Sequence, residues 1–326
     1  MRRLGRYVFW GNNLTDDGVG RLAFLALRLA LFWPISVVMS LILGAISLRR
    51  PVNVLIMRCN RSKISFVIED LEYELRIQSY DRRVRSNTRT PVNLAVLDTM
   101  SPNEALTALY GRVIRLYTAR NWLLMPLFRY VIPVARVRRA YMPNKNPQRI
   151  PIWASEQPVT RFSISELTRF KELCDSLGLS IHQPYVCASC ASRAYYEMLE
   201  ARDHPTPEDI DDVQYLPSED DFIEGVLGGV EAQLPIIRMG RHVPALSERF
   251  ASRVVDYALQ ANDLDDLLLA AHCRFLVSGA TGIWWLAAMF NVPVVITDMY
   301  SLSHTSAGPH DRITLLLPVD RMSGAR

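Results

Sequence analysis

The sequence predicts an α/β protein built on parallel sheets and preceded by one long apolar helix. Three observations predict it. The stretch from Pro235 to Asp298 reads as strand, loop, strand, helix, strand, glycine turn, helix, strand. A strand, basic turn and helix open in the same way at Val52–Gln78, so the 326 residues divide into two α/β domains. Between Leu29 and Leu48 lies a run of about twenty residues without a charge, long enough to cross a hydrocarbon core as a helix.

The apolar run is longer than the core of a signal peptide and has no small-residue cleavage site, which points to a retained anchor. Its orientation stays open. Arg2, Arg3, Arg6, Arg21 and Arg28 precede it, and Arg49, Arg50, Arg58, Arg61 and Lys63 follow it. Pro34 inside the run would kink a helix, so a re-entrant or interfacial segment stands beside a spanning one. A second apolar stretch, Trp122–Ala135, runs into Arg136, Arg138, Arg139 and Tyr141. It reads either as a membrane-surface segment or as a domain helix with a solvated basic end. The net charge of +4 suits an anionic surface, and no nucleic-acid motif accompanies it. Five cysteines, an odd count, suit reduced thiols. Cys187-Ala-Ser-Cys190 falls in an apolar strand and lacks a second pair, which speaks against zinc or redox work.

Taken in order, Val52–Arg58 is the first strand, Phe66–Gln78 a helix and Pro91–Thr99 the next strand. Ser101-Pro-Asn-Glu104 opens a helix over 103–116. Met142–Pro158 is a polar, proline-bearing junction. Ser163-Ile-Ser-Glu166 has capping-box spacing, and Gly178 is the natural stop of the helix it opens. Gln183–Cys190 is a strand, and the acidic segment Glu200–Asp221 is a loop that caps a helix over 221–233. Strands follow at Leu234–Met239, Arg253–Tyr257, Arg274–Ser278 and Val292–Asp298. Helices fall at Leu264–His272 and Ile283–Phe290.

The segments RMG, VVDYA and CRFLVSGATGIWWLAAMFNVPVVITD, with PVNLAVLDTM, LYGRVIRLY and RCNRSKISFVIEDLEYELR, resemble a family of bacterial glycosyltransferases of surface-polysaccharide loci. More distantly, the C-terminal third is similar to that of heptosyltransferases. The resemblance implies a GT-B architecture, with two Rossmann-like domains whose parallel sheets face a cleft. Residues 1–50 would anchor the chain, 51–178 form the acceptor-side domain, and 179–326 hold the nucleotide sugar. It implies sugar transfer to a glycan or lipid-linked acceptor at the inner membrane, with the two domains cytoplasmic. No metal or other cofactor is required, and polysaccharide-assembly proteins are possible partners. The family often adds helices that cross back to the first domain. Here only a short polar tail follows Leu315–Val319, from a short member or a truncated frame.

Donor binding is expected of Gly279-Ala-Thr-Gly282, a strand-to-helix turn that could cradle a diphosphate, with Thr281 as a hydroxyl donor. Arg238, just before Gly240, is either a phosphate partner or a salt bridge to a neighbouring loop. Asp256 and Tyr257 end the next strand, where a ribose or base would lie. Asp265 and Asp266 suit the first turn of their helix structurally. The resemblance leads one to expect an Arg-Asp pair after the first strand of the second domain, where Ala191 and Ser192 stand, with Arg193 one place on. It also leads one to expect a Gly-His where Lys63-Ile64-Ser65 stands. Glu69 and Asp70 are the carboxylates that remain for a base, although helical spacing favours solvated roles for them. These departures keep a second reading open, a scaffold that retains the fold without the chemistry. A nicotinamide-dependent oxidoreductase is disfavoured, because RCNRSK replaces a GxGxxG after the first strand.

Overall fold

The computed structural model describes residues 18–57, 64–84, 90–97, 103–117, 137–142, 149–190, 218–279, 281–299, 308 and 310–315. The chain forms two compact units, Met1–Pro102 with Thr107–Asn146, and Asn103–Leu106 with Pro147–Arg326. The division passes through the polar junction, at Asn146 and Pro147, and the capped helix that Gly178 stops falls in the second of these units.

The first unit opens with helix α1 (Gly18–Arg49), which runs into β1 (Val52–Met57). Helix α2 (Ile64–Val84) and β2 (Val92–Leu97) follow, then α3 (Glu104–Gly111), whose first residues to Leu106 are counted with the second unit, β3 (Arg115–Tyr117) and β4 (Val137–Met142). The four strands are parallel, in the order β3-β2-β1-β4. Near-continuous apolar runs such as VNVLIM and VNLAVL suit a parallel sheet, which must be covered on both faces. Leu43 of α1 joins Val52, Val54, Leu94, Val96 and Val137 in one core cluster. Facing asparagines break the run in register: Asn53 Nδ2 donates to Asn93 Oδ1 at 3.0 Å, and Asn93 Nδ2 donates to Gln78 Oε1 at 2.8 Å.

Three expectations for this unit change. The helix expected over 103–116 stops at Gly111, because the amides of Val113 and Ile114 both turn back to the Tyr110 carbonyl and release the chain into β3. Arg138, Arg139 and Tyr141 are not the basic end of a surface helix. They lie in β4, hydrogen-bonded beside β1 in the sheet, while Trp122–Arg136 falls outside the described residues. Glu69, expected in solvent, is buried on α2. That helix also buries Glu72 and Arg76 completely, joined at 2.9 Å, and the Tyr110 hydroxyl donates to Glu72 at 3.0 Å. Burial, and then the Glu72 charge, hold the Tyr110 hydroxyl well above its ordinary pKa.

The second unit carries α4 (Arg149–Ser155), α5 (Ile164–Ser176), β5 (Val186–Ser189), α6 (Glu219–Gly229) and β6 (Ile236–Arg238). It continues with β7 (Val254–Val255), α7 (Asp263–His272), β8 (Phe275–Ser278), α8 (Trp284–Ala288), β9 (Val294–Met299) and β10 (Arg312–Leu315). Its six strands are parallel in the order β7-β6-β5-β8-β9-β10. Numbered from β5, that is 3-2-1-4-5-6, the doubly wound Rossmann order. The chain starts at the centre, winds outward to β7, then returns to the other side of β5.

Local signals at α5 act as read. Ser163 and Glu166 form a reciprocal capping box, and Gly178 adopts φ 71° while the Leu179 amide bonds the Cys174 carbonyl at 2.9 Å. The polar junction, in contrast, contains α4. Its Trp153 is buried, donates to the Ala288 carbonyl at 3.3 Å and meets the Trp285 ring edge-on at 5.6 Å. Apolar Ile152 and Trp153 therefore outweighed the prolines on either side.

Candidate functional site

In a sheet of this order the crevice opens where the winding reverses, between the carboxyl ends of the first and fourth strands. Here those ends are Ser189-Cys190 after β5 and Ser278-Gly279 after β8. The Gly279 amide donates to the Ser189 carbonyl at 2.9 Å, so the two strands stay joined to the lip of the crevice. Beside them, the Met239 amide donates to the Ala188 carbonyl at 2.8 Å and extends the lip to β6. A shallow depression lies here, bounded by Ser189, Cys190, Glu219, Phe222, Arg238 and Met239, with essentially no enclosed space even for a water molecule.

The turn after β8 is organised from within. Ser278 Oγ donates to the Gly279 carbonyl at 2.8 Å and lies 3.2 Å from Thr281 Oγ1. With the Ser278 hydrogen committed, Thr281 is the donor of that pair. Thr281 Oγ1 also accepts the Ile283 amide at 3.2 Å. The Thr281 hydroxyl thus shapes the turn, and the helix behind it, α8, spans five residues.

Arg238 is brought together with Asp256, and the partner is structural. Its guanidinium is 3% exposed. Nη1 donates to the Pro244 carbonyl at 2.8 Å and to Asp256 at 2.9 and 3.1 Å, while Nη2 pairs with Glu219. Asp256 also accepts the Leu246 amide at 3.1 Å. One guanidinium therefore ties β6, the start of α6 and the loop before β7. Glu219 was missed in the sequence because it sits in the run Ser218-Glu-Asp-Asp221, which reads only as a helix cap. Ser218 does cap α6, and Glu219 in the first turn faces inward. Gly240 follows at φ 148°, where a Cβ would stand 3.3 Å from Val243, so glycine alone lets the chain leave β6 at this angle.

Tyr257 does not end a strand. β7 stops at Val255, and Tyr257 begins a short 3₁₀ turn that turns the side chain inward. Its hydroxyl donates to Asp266 Oδ1 at 3.1 Å and accepts the Asn262 amide at 3.1 Å. Burial and the Asp266 charge raise its pKa. The first turn of α7 is a charge network: Arg169 grips Asp265 at 3.0 and 2.7 Å, and Arg241 holds Asp266 at 2.7 Å and Asp263 at 2.6 Å. Burial pushes the Asp266 carboxyl up to about 6, against the pull of Arg241 and the Tyr257 hydrogen bond.

An acid whose folded pKa lies above its unfolded value binds its proton more tightly when folded. Its stabilising contribution is full below about pH 4 and is lost as the pH rises through about 6. A shift of two units corresponds to about 3 kcal/mol. Asp266→Asn is expected to remove this dependence. In urea unfolding, the stability difference between variant and parent should move in the variant's favour from about pH 4 to about pH 7.

The remaining expected residues fall elsewhere. Arg193 lies outside the described residues, as do Ala191 and Ser192. Glu69 and Asp70 are on α2 of the first unit; the side chain of Asp70 is outside the described set. Cys187 is buried, with its thiol pKa raised by burial and by Cys273, and Sγ donates to the Leu269 carbonyl at 3.6 Å. The thiol is a packed core group. Among the described residues, no group of three or more His, Cys, Asp and Glu side chains is placed to hold a metal ion.

No protein-family model matches the chain, and no curated protein matches it. Solved structures similar to it include glycosyltransferases. The iron-containing dodecameric glycosyltransferase TibC of enterotoxigenic E. coli is 14% identical with a TM-score of 0.36, over 80% of this chain and 62% of that one. The chain thus spans less than two thirds of TibC. A family 9 glycosyl transferase of Veillonella parvula is 10% identical with a TM-score of 0.45, over 82% and 86% of the two chains. The ADP-heptose LPS heptosyltransferase II of E. coli is 14% identical with a TM-score of 0.40, over 81% and 90%.

Proposed function

We propose that the protein is a GT-B glycosyltransferase. It moves a sugar from a nucleotide-sugar donor to a surface glycan or lipid-linked acceptor at the cytoplasmic face of the inner membrane. The observation that carries this reading is the switch point of the six-stranded sheet. There the ends of β5 and β8 meet through the Gly279–Ser189 bond, and a glycine turn leads away from the crevice. The donor diphosphate would lie over the turn Gly279–Gly282, with the base and ribose towards β6 and β7. Arg193, just beyond β5, is the cation proposed for the phosphates, and Glu69 or Asp70 the carboxylate proposed for the acceptor hydroxyl. Arg238, Gly240, Asp256 and Tyr257 would serve the donor by holding the floor of its site.

Titration calorimetry with nucleoside diphosphates tests this. Saturable binding is expected for one base, and Cys190→Tyr, at the half-exposed end of β5, should weaken it at least about tenfold with an unchanged melting temperature. No heat from any nucleoside diphosphate or its sugar conjugate would sink the reading.

One observation favours a second reading, a scaffold without turnover. Arg238 is buried in ion pairs with Glu219 and Asp256 and donates to the Pro244 carbonyl, so the cation nearest the crevice floor is committed to the fold. That reading expects a stable protein partner and no transfer from any sugar nucleotide. Measured turnover rejects it.

A further inference from the structure

Helix α1 is amphipathic in the inverse sense. Along Phe32–Arg49, the buried positions are Ser36, Ser40, Leu43, Gly44 and Ser47, which fall on one stripe at helical spacing. Ser36 is 0% exposed and Ser40 2%. Both Ser40 and Ser47 return their hydroxyls to the helix's own carbonyls, at 2.6 Å in each case, which lowers the cost of turning this polar stripe inside. The rest of the surface carries Trp33, Ile35, Val38, Leu41, Ile42, Ile46 and Leu48, with Leu41 65% and Leu48 71% exposed. A water-facing helix turns its polar side out. A contiguous apolar face of this length exceeds what soluble surfaces carry singly.

We infer that α1 lies in the plane of an anionic lipid surface, with its outer face in the headgroup–acyl boundary, and does not cross the bilayer. Three observations bear on this. Leu43 and Met39 pack into the core of the four-stranded sheet, and Arg50-Pro51 alone separates the helix from β1. The C-terminal half is therefore fixed along the domain and cannot be ringed by lipid. Pro34 leaves the Ala30 carbonyl without its helical donor, on an exposed side of the helix where interfacial water can satisfy it. Arg49 and Arg50 are exposed at the helix end, so positive charge borders the apolar face where the helix meets the domain. That face carries no polar side chain to fix the register of a protein partner, and the flanking charge complements phosphate headgroups. The inference is independent of the transfer chemistry.

Vesicle flotation of the purified full-length chain tests it, with neutral phosphatidylcholine vesicles and with vesicles one-third phosphatidylglycerol. The parent should float with the anionic vesicles and about tenfold less with neutral ones. Leu41→Glu with Ile42→Glu should lower flotation at least about tenfold and leave the melting temperature unchanged. Should that pair fail to fold, Val38→Glu at the middle of the outer face gives the same readout. In cell membranes, an alkaline carbonate wash should release the parent. Retention after the wash, with the N-terminus protected from added protease on the cytoplasmic side, would mean a spanning helix and overturn the inference. So would absent flotation, or a lipid-free dimer that the same variants dissociate, which would make a second copy the occupant of the face. Nucleotide calorimetry on the same sample keeps the failure of this inference apart from failure of the transferase reading.

Discussion

Arg238→Ala is expected to lower the unfolding free energy by about 3–5 kcal/mol, the cost of leaving buried charge without its partner. The side chain is 3% exposed and sits between two carboxylates, Glu219 at 10% and Asp256 at 21% exposure. Removing it strands both and frees the Pro244 carbonyl from its donor. Arg238→Lys keeps the charge without the fork, so a smaller loss of about 1–2 kcal/mol is expected. Adding Glu219→Gln and Asp256→Asn to the alanine variant should recover part of the loss, since neutral amides tolerate an absent cation. Urea unfolding with a probe in the second unit reads all three. An unchanged denaturation midpoint in Arg238→Ala would mean that water replaces the guanidinium at no cost and that the ion pairs are ornamental. The prediction also bears on enzymology. Loss of transfer in Arg238→Ala reports a broken floor as readily as a lost phosphate contact, so the pairing partners must be varied alongside it.

Arg76→Met is expected to cost the first unit a similar amount, about 3–5 kcal/mol. Arg76 and Glu72 have no exposed side-chain surface, and the Glu72 carboxylate would lose its guanidinium partner while keeping the Tyr110 hydroxyl. Tyr110→Phe removes one hydrogen bond to a charged acceptor, worth about 1.5–3 kcal/mol. Replacing Glu72 and Arg76 together by leucine should be far milder than either single change, because neither member of the pair is then left without the other. Circular dichroism melts of the three variants check the ranking. A double variant as unstable as Arg76→Met would show that the helix needs the ion pair itself.

Much of the second unit was legible in the sequence, and the reasons are local. The capping box at Ser163–Glu166, the αL stop at Gly178 and the β-branched runs around Ile236, Leu276 and Val294 act over a few residues, so pattern alone places them. What escaped depends on the third dimension. Arg138 and Arg139 read as solvated charge, yet β4 belongs beside β1 through its backbone bonds. Glu219 read only as part of an acidic helix-capping run and Arg241 carried no signal of its own, yet each closes an ion pair with a residue about twenty positions or more along the chain. Tyr257 read as a strand end, and a two-residue β7 followed by a 3₁₀ turn instead directs it at α7. Among expected donor residues, the glycine turn and Arg238 do sit at the carboxyl ends of β8 and β6. They are about 10 Å apart across β5, given the spacing of neighbouring strands.

The central placement of β5 has a kinetic consequence. Its register partner Phe275 on β8 lies about ninety residues later in the chain, and β1 is similarly paired with β4 through Val52 and Val137. Neither sheet can close its middle until a late strand has been synthesised, so each first strand waits with one side unpaired as the chain leaves the ribosome. Folding should therefore be slow and limited by these distant closures. Once closed, β1 and β5 have no free edge, and their amides should be among the last in the protein to exchange with solvent deuterium.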